Sequence, residues 1–333
     1  MSAGGTIAVV EPGLQTTVQD YPGRLGLWRV GIPPSGPMDS LAFRLANRLV
    51  GNPPGTAALE VQFTGPKLVF DTATAVALTG PESEATLDGE PVPFWQTLKV
   101  RAGGVLHCPY VQRGARIYIT AAGGIEREPA FGSRATFPQS GIGGGALKPG
   151  DVLCIGKSSG DAAMRCVPAD RRPDYPDTIQ VEVTSGPHFD WLSDAGHVTL
   201  LTTAWKVTGR SDRTGIRLDG PRLDFAARAL HKPPEHGPEP TNVINTGYPV
   251  GGLNLCGDTP IILPVDGPSM GGFITPIVVA SAALRKVGQA RPGQFLRFRL
   301  VPVADAIALR RQLELLASEL SVVPLAAAGA PSC

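Results

Sequence analysis

The chain has 333 residues, enough for two domains that each bury a core of their own. Hydrophobic residues make up 42% and charged residues 18%, the balance of a globular enzyme and not of a disordered chain. The net charge is +1 with no basic stripe, which argues against nucleic acid as a partner.

Along the chain, 41 glycines and 33 prolines are scattered as punctuation, so the pattern is many short strands joined by tight turns. The class is mainly β, with few helices. Thr6–Val10 reads as a first strand, and Gln19 to Pro37 as a turn-rich stretch. The first clear helix is Asp39–Val50, with Asp39 as its N-cap and Gly51 as its stop. Its leucines, with Phe43, cover one broad arc. Ser40, Arg44, Asn47 and Arg48 fall on the polar remainder, with Asn47 at the edge. Strand and turn then alternate from Ala58 to Ile155, and Asp88-Gly89 marks a tight hairpin. Gly156–Thr178 is polar and aperiodic, a linker. Ile179–Val183 alternates as a strand and opens a second β unit, with a further strand expected at Val198–Thr202. Ala226–Pro240 is proline-rich and reads as a loop, and Pro276–Leu284 fits either strand or helix. A terminal helix is expected from Ala304 to Leu320, with Leu309, Leu313, Leu316 and Leu320 forming one apolar stripe. This gives domains at 1–157 (holding helix 39–50) and 178–302, a linker at 158–177, and a helix with a loose tail at 303–333.

Cys108, Cys154, Cys166, Cys256 and Cys333 show no C-x-x-C spacing and are odd in number, so they read as free thiols in a reducing compartment. The opening residues lack a signal-peptide pattern, and no apolar run reaches the roughly 18 residues of a membrane span. The expected location is the cytoplasm, with no membrane partner. The five histidines form no ligand spacing, so no metal is expected.

Gly267-Pro-Ser-Met-Gly271 matches the G-x-S-x-G elbow of α/β-hydrolases, but no histidine follows it in the chain, as that order requires. Gly141-Ile-Gly-Gly-Gly-Ala146 fits G-x-G-x-x-A, yet Phe137-Pro-Gln-Ser precedes it where a strand is needed, so it is a loop. There is no P-loop, and no ATP is expected to bind this chain. Ala163-Met-Arg-Cys166 is similar to the loop of biotin carriers, but Arg165 stands where the biotinylated lysine must be. Two segments are too rich in chemistry for plain loops. They are Gln19-Asp-Tyr-Pro-Gly-Arg24 with Pro33–Asp39, and Gly257–Pro260 through Asp266-Gly-Pro-Ser-Met-Gly-Gly-Phe273. Such stretches are rigid and present backbone donors closely, so both read as binding loops.

The same two segments carry a family resemblance. Gln19–Gly26, Gly31–Asp39, Ala46–Asn52, Ala122-Gly-Gly124 and Gly132-Ser-Arg134 resemble the opening of the carboxyltransferase region of urea carboxylase. In the second half the likeness continues through Ser211-Asp-Arg213, Gly257–Leu263, Asp266–Phe273, Lys286-Val-Gly-Gln289 and Pro292-Gly293. The wider family includes allophanate hydrolase subunit 2, KipA-like proteins and the C component of 5-oxoprolinase.

The resemblance implies two β domains, the second a cyclophilin-like barrel. It implies a subunit that passes the carboxyl group of carboxybiotin to urea or a urea-like amide. Biotin would be presented in trans by a carrier, with a biotin carboxylase and a KipI-like partner completing the enzyme. The alternatives are a component of an ATP-dependent 5-oxoprolinase and a non-catalytic regulatory subunit. On this reading Asn47 fixes the amide, Asp39 is base or orienter, and Lys286 holds the carboxylate. Gln19, Asp20, Tyr21, Ser35 and Asp266 are expected to bind substrate or carboxybiotin, and Ser269, Gly271 and Gly272 to donate to its oxygens.

Overall fold

The computed structural model describes residues 4–158 and 163–325. These fall into two compact units. One holds residues up to Arg24, Ser35–Tyr175 and those from Glu314 on; the other holds Leu25–Pro34 and Pro176–Leu313. Both are mainly β, as the turn-rich composition predicts. No helix among the described residues is long and apolar enough to cross a membrane.

The first unit is built on two sheets. One orders its strands Ile125–Glu126, Val152–Ile155, Thr6–Glu11, Lys67–Phe70, Val105–His107, Thr86–Leu87 and Glu90–Pro91. The last two are joined by Asp88-Gly89, both at positive φ, the turn that this pair predicts. The other sheet runs Gln15–Gln19, Ala58–Gln62, Arg116–Ala121, Thr74–Thr79 and Thr97–Val100. Arg116–Ala121 is buried along its whole length, and Phe43 of helix α1 (Ser40–Leu49) meets Tyr118 edge-on at 5.7 Å. Two sheet threonines tie the helix down by donating to its carbonyls, Thr79 to Ala42 and Thr97 to Leu49.

Helix α1 starts and stops where its sequence says. Asp39 accepts from the Ala42 N–H at 3.1 Å, and Gly51 follows at φ +79°. The expected polar arc is a different matter. Arg44 and Asn47 are 7% and 0% exposed, so that side of the helix is covered. Arg44 makes a two-pronged pair with Glu314, and Asn47 is enclosed by Thr56, Asn52 and Thr120. Polar side chains in a helix can be buried once most of their donors and acceptors find partners, a fact periodicity alone does not carry.

Beneath the helix start lies a buried charge. Glu60 accepts from the Tyr118 hydroxyl and the Met38 N–H, both at 2.8 Å, and pairs with Arg116 at 3.3 Å. The Tyr118 oxygen in turn accepts from the Asp39 N–H at 2.7 Å. Burial, then the charges of Glu60 and Asp39, push the Tyr118 phenol well above its ordinary pKa, so it stays a donor at any working pH.

The second unit is a closed barrel of Thr178–Ser185, Ile277–Val279, Gly252–Cys256, Thr259–Ile262, Ile216–Asp219, Trp205–Val207 and Phe295–Leu300. Thr178–Ser185 pairs in parallel with Phe295–Leu300 over six residues and antiparallel with Ile277–Val279. A separate two-stranded ribbon joins Asn242–Gly247 to Met270–Phe273. Pro276–Leu284 resolves into the strand Ile277–Val279 and a short helical turn at Ser281–Ala283. The strand expected at Val198–Thr202 is instead the end of helix α2 (Asp194–Thr202). Ser193 caps it by accepting from the Gly196 N–H at 3.1 Å, and this local cap outweighs the β-branched residues.

The terminal helix α3 spans Val303–Leu316, shorter than expected, and only Leu313 of its stripe is buried; Leu320 is 77% exposed. The reading of Cys166 as a free thiol needs correction, and Cys333 lies outside the described residues. Cys108, Cys154 and Cys256 are free, while Cys166 is disulfide-bonded. Sequence spacing does not tell which distant cysteines a fold brings within bonding range.

Two outcomes test this architecture. Tyr118→Phe leaves a buried N–H and a buried carboxylate each short of a partner, so chemical denaturation should show a loss of about 2 kcal/mol. Burial pushes the Cys108 thiol up to about 12. Maleimide at neutral pH, followed by peptide mapping, should therefore modify exposed Cys154 and Cys256 and spare Cys108 until the chain unfolds.

Candidate functional site

Apart from Pro33 and Pro34, which belong to the second unit, the two segments singled out from the sequence lie one in each unit. In the first unit, Gln19 ends the strand Gln15–Gln19 and is fully buried. Its side-chain carbonyl accepts from the Gly36 N–H at 3.1 Å, and its amide donates to Thr17 and to the Thr136 carbonyl. Gly36 sits at φ +83°, and an added Cβ would come 3.0 Å from the Asp20 carbonyl, so glycine is required for this close approach. Asp20 accepts from the Ser133 hydroxyl at 2.5 Å and the Arg134 N–H at 2.6 Å, tying the Gly132-Ser-Arg134 motif to the loop. Tyr21 packs its ring under the Arg44 guanidinium at 4.9 Å and is followed by a cis bond to Pro22.

Ser35 differs from its neighbours. It is 2% exposed and held at φ +55°, where non-glycine residues are uncommon. Its hydroxyl is buried and has no hydrogen-bond partner. An unsatisfied buried hydroxyl beside a strained backbone is the kind of feature that marks a ligand contact.

Asp39 and Asn47 lie deeper. Both are fully buried. The Asp39 carboxylate caps α1. The Asn47 amide donates to the Thr56 carbonyl at 2.9 Å, and its oxygen accepts from Asn52 and Thr120. Asn52 extends this chain to the Ala121 carbonyl and the Gly123 N–H, so the Ala122-Gly-Gly124 motif is bound to the helix through Asn47.

In the second unit, Asp266 is buried and paired with Arg213 at 2.7 Å, joining the Ser211-Asp-Arg213 motif to the glycine loop. The ribbon strand Met270–Phe273 rests on Tyr248, whose N–H donates to the Ser269 carbonyl and whose hydroxyl accepts from the Phe273 N–H at 2.7 Å. A Cβ on Gly271 would come within 2.7 Å of that ring. Gly271 and Gly272 remain half-buried, and Met270 is 61% exposed. The sequence that fits a hydrolase elbow is thus a loop leading into a ribbon strand with bare, partly open backbone. Trp28 donates its indole N–H to the Tyr248 carbonyl at 3.1 Å and anchors the other side of the same residue.

Lys286 lies on a short helical turn, Leu284–Gly288, and is ion-paired with Glu182 at 2.9 Å while also donating to the Gln180 carbonyl. Burial opposes the charge on Glu182, but Lys286 and Arg299 more than offset it, and the carboxyl is held below its ordinary pKa. Asn52 and Glu60 fall inside motifs that carry the family resemblance, Ala46–Asn52 and Leu59-Glu60, without a role having been read for them. Tyr118, Tyr248 and Trp28 were not singled out from sequence; each acts through a long-range bond, and no local motif marks such a residue.

Arg213 and Asp266 provide the test of this arrangement. Asp266→Ala leaves Arg213 buried without its carboxylate, and denaturation should show about 3–5 kcal/mol lost.

Comparison with known proteins places these motifs. The model of the carboxyltransferase domain, subdomain A and B, matches residues 30–300. Urea amidolyase of Saccharomyces cerevisiae is 39% identical over 303 residues, covering 88% of this chain but 16% of that protein. The chain therefore spans only a fraction of the length of this multi-part relative. The C component of 5-oxoprolinase from Escherichia coli is 31% identical and is matched over 94% of its own length and 92% of this chain. The crystal structure of Kluyveromyces lactis urea carboxylase superposes with a TM-score of 0.89 at 36% identity, over 98% of this chain and 30% of that one. With the family model covering most of its length, this chain belongs to the carboxyltransferase domain family, subdomains A and B.

Proposed function

We propose that the chain is the carboxyltransferase component of a urea-carboxylase-like enzyme, passing a carboxyl group to urea or a urea-like amide. The observation that carries the choice is similarity: over a comparable share of the chain, identity is higher to the urea-processing relatives than to the 5-oxoprolinase components. On this reading biotin, presented in trans by a carrier protein, supplies an activated carboxyl group. A biotin carboxylase loads that carrier, and a KipI-like subunit completes the site.

The residues present suit such a ligand. The space beside Gly271 is taken by the Tyr248 ring, but Gly272 carries no side chain to hold off a flat ureido ring, and backbone donors there can meet its oxygens. Ser269 lies at the head of the same strip. In the first unit we assign Ser35 to the substrate, because its hydroxyl is buried and unpartnered on a strained turn. Tyr21 follows Gln19 by two residues, and the Gln19 side chain holds Gly36, the residue after Ser35. Gln19, Asp20 and Asp266 are assigned to hold the two loops in place. Asn47 and Asp39 are assigned as positioning residues that set the start and the far side of α1. Lys286, engaged by Glu182, is assigned to the base of the barrel strand and meets the carboxylate only by leaving that pair.

A second reading, the C component of an ATP-dependent 5-oxoprolinase, is favoured by one observation: those components match this chain over nearly their whole length.

The test is reconstitution with the partner subunit, biotin carboxylase and carrier, following discharge of the carboxylated carrier. Urea should trigger discharge and 5-oxoproline should not; the reverse result would replace the first reading by the second. Ser35→Ala should raise the KM for urea about tenfold, the worth of one lost hydrogen bond to substrate, with Tm unchanged. Asn47→Ala should lower Tm instead, and an unchanged Tm with lost turnover would return Asn47 to the substrate.

A further inference from the structure

Away from both loops, the first unit has a cavity of about 340 Å³ lined by Arg48, Ala163, Arg165, Glu319, Val322, Val323 and Pro324. Its size falls within the roughly 300–1,000 Å³ typical of small-molecule sites. One wall is the two-stranded pairing of Arg165–Cys166 with Val323–Pro324, and the other is the last turn of α1.

The charges here do not balance. Arg44, one turn earlier on α1, gives both terminal nitrogens to the two oxygens of Glu314, although its Nε, like that of Arg48, is buried without a partner. Arg48 has only Glu319, which is 79% exposed and therefore well hydrated, and the Nε of Arg48 is buried with no partner. Arg165 spends one N–H on the Arg48 carbonyl at 3.1 Å and meets no carboxylate among the described residues. Among the described residues, two guanidinium groups thus line one cavity with a single exposed carboxylate, Glu319, which pairs with Arg48. The rest of the lining among the described residues, Ala163, Val322, Val323 and Pro324, is apolar.

We propose that this cavity binds a small aliphatic carboxylate. The planar N–H forks of Arg48 and Arg165 suit a carboxylate head, because guanidinium and carboxylate match edge to edge. The apolar wall suits a short hydrocarbon tail and disfavours a fully hydrated inorganic anion, which would have to shed water against valine and proline. The Ala163-Met-Arg-Cys166 segment then serves to supply Arg165 to this site and not to carry a prosthetic group.

The experiment is calorimetric titration of the full chain at constant ionic strength with hexanoate, inorganic phosphate and hexylamine. Hexanoate should saturate with a Kd of about a millimolar or below, within reach of its roughly eight heavy atoms. Phosphate and hexylamine should not saturate in that range. Arg165→Met should weaken hexanoate at least about tenfold, the loss of one charged pair. Ala163→Trp, at an exposed rim position that makes no side-chain hydrogen bond, should block the cavity, and it decides the matter if Arg165→Met does not fold. No saturation by hexanoate, equal binding of phosphate or of hexylamine, or unchanged binding in Ala163→Trp overturns the proposal.

Discussion

A buried carboxylate fixes much of the first unit. Glu60 is 2% exposed in the middle of a sheet, and a charge there is stable only if its oxygens are met. One partner is Arg116 on the neighbouring strand. The others are the Tyr118 hydroxyl and the Met38 N–H, which belongs to the loop before α1. Tyr118 then takes the Asp39 N–H, so two successive backbone donors of that loop hang on side chains of the sheet. The place where α1 begins is set from below as well as by its own cap. Because the helix start is pinned, the preceding Ser35-Gly36 turn must close over Gln19 within a short span. The strained Ser35 backbone follows from that demand and not from the turn's own preference.

The second unit solves a similar problem with a tyrosine. A strand with two adjacent glycines has little side-chain packing to hold it, and glycine adds conformational entropy to the unfolded chain. Tyr248 compensates from both ends, accepting from Phe273 and donating to Ser269, while its ring fills the space a Gly271 side chain would need. The Arg213–Asp266 pair fixes the loop just before it. The strand is therefore thin but not loose, which is what a backbone surface needs if it is to present donors at fixed positions.

How much of this was legible in the sequence depends on range. Helix α1, its Asp39 cap and the Asp88-Gly89 hairpin were read correctly because their signals lie within a few residues of one another. Family membership was legible for another reason: long ordered motifs such as Asp266–Phe273 survive as words. Burial of Asn47 was not legible. A helical wheel separates polar from apolar but cannot show that Thr56, Asn52 and Thr120 arrive to satisfy a polar side chain. The leucine stripe of α3 fits docking on the chain's own core or a subunit contact equally well by spacing, and only Leu313 of it is buried. At Val198–Thr202, β-branched composition lost to one serine cap, as propensity does when a helix nucleus is anchored.

The pattern of engagement bears on how the proposed chemistry is divided. The buried carboxylates among the described residues are Asp39, Glu60, Glu182 and Asp266. Each is held: by a helix N–H, by Arg116 and Tyr118, by Lys286 and Arg299, and by Arg213. A carboxylate whose oxygens already meet donors or cations makes a poor general base, because taking a proton costs those bonds. Urea is a weak nucleophile and needs such a base as it attacks. In the proposed reaction this chain therefore contributes shape, backbone donors and the Ser35 hydroxyl. On that proposal the proton acceptor is to be sought outside these four buried carboxylates. The urea amidolyase and urea carboxylase relatives, in which the matched region is one part of a longer chain, fit a fold whose buried acids are spent on holding its loops in place.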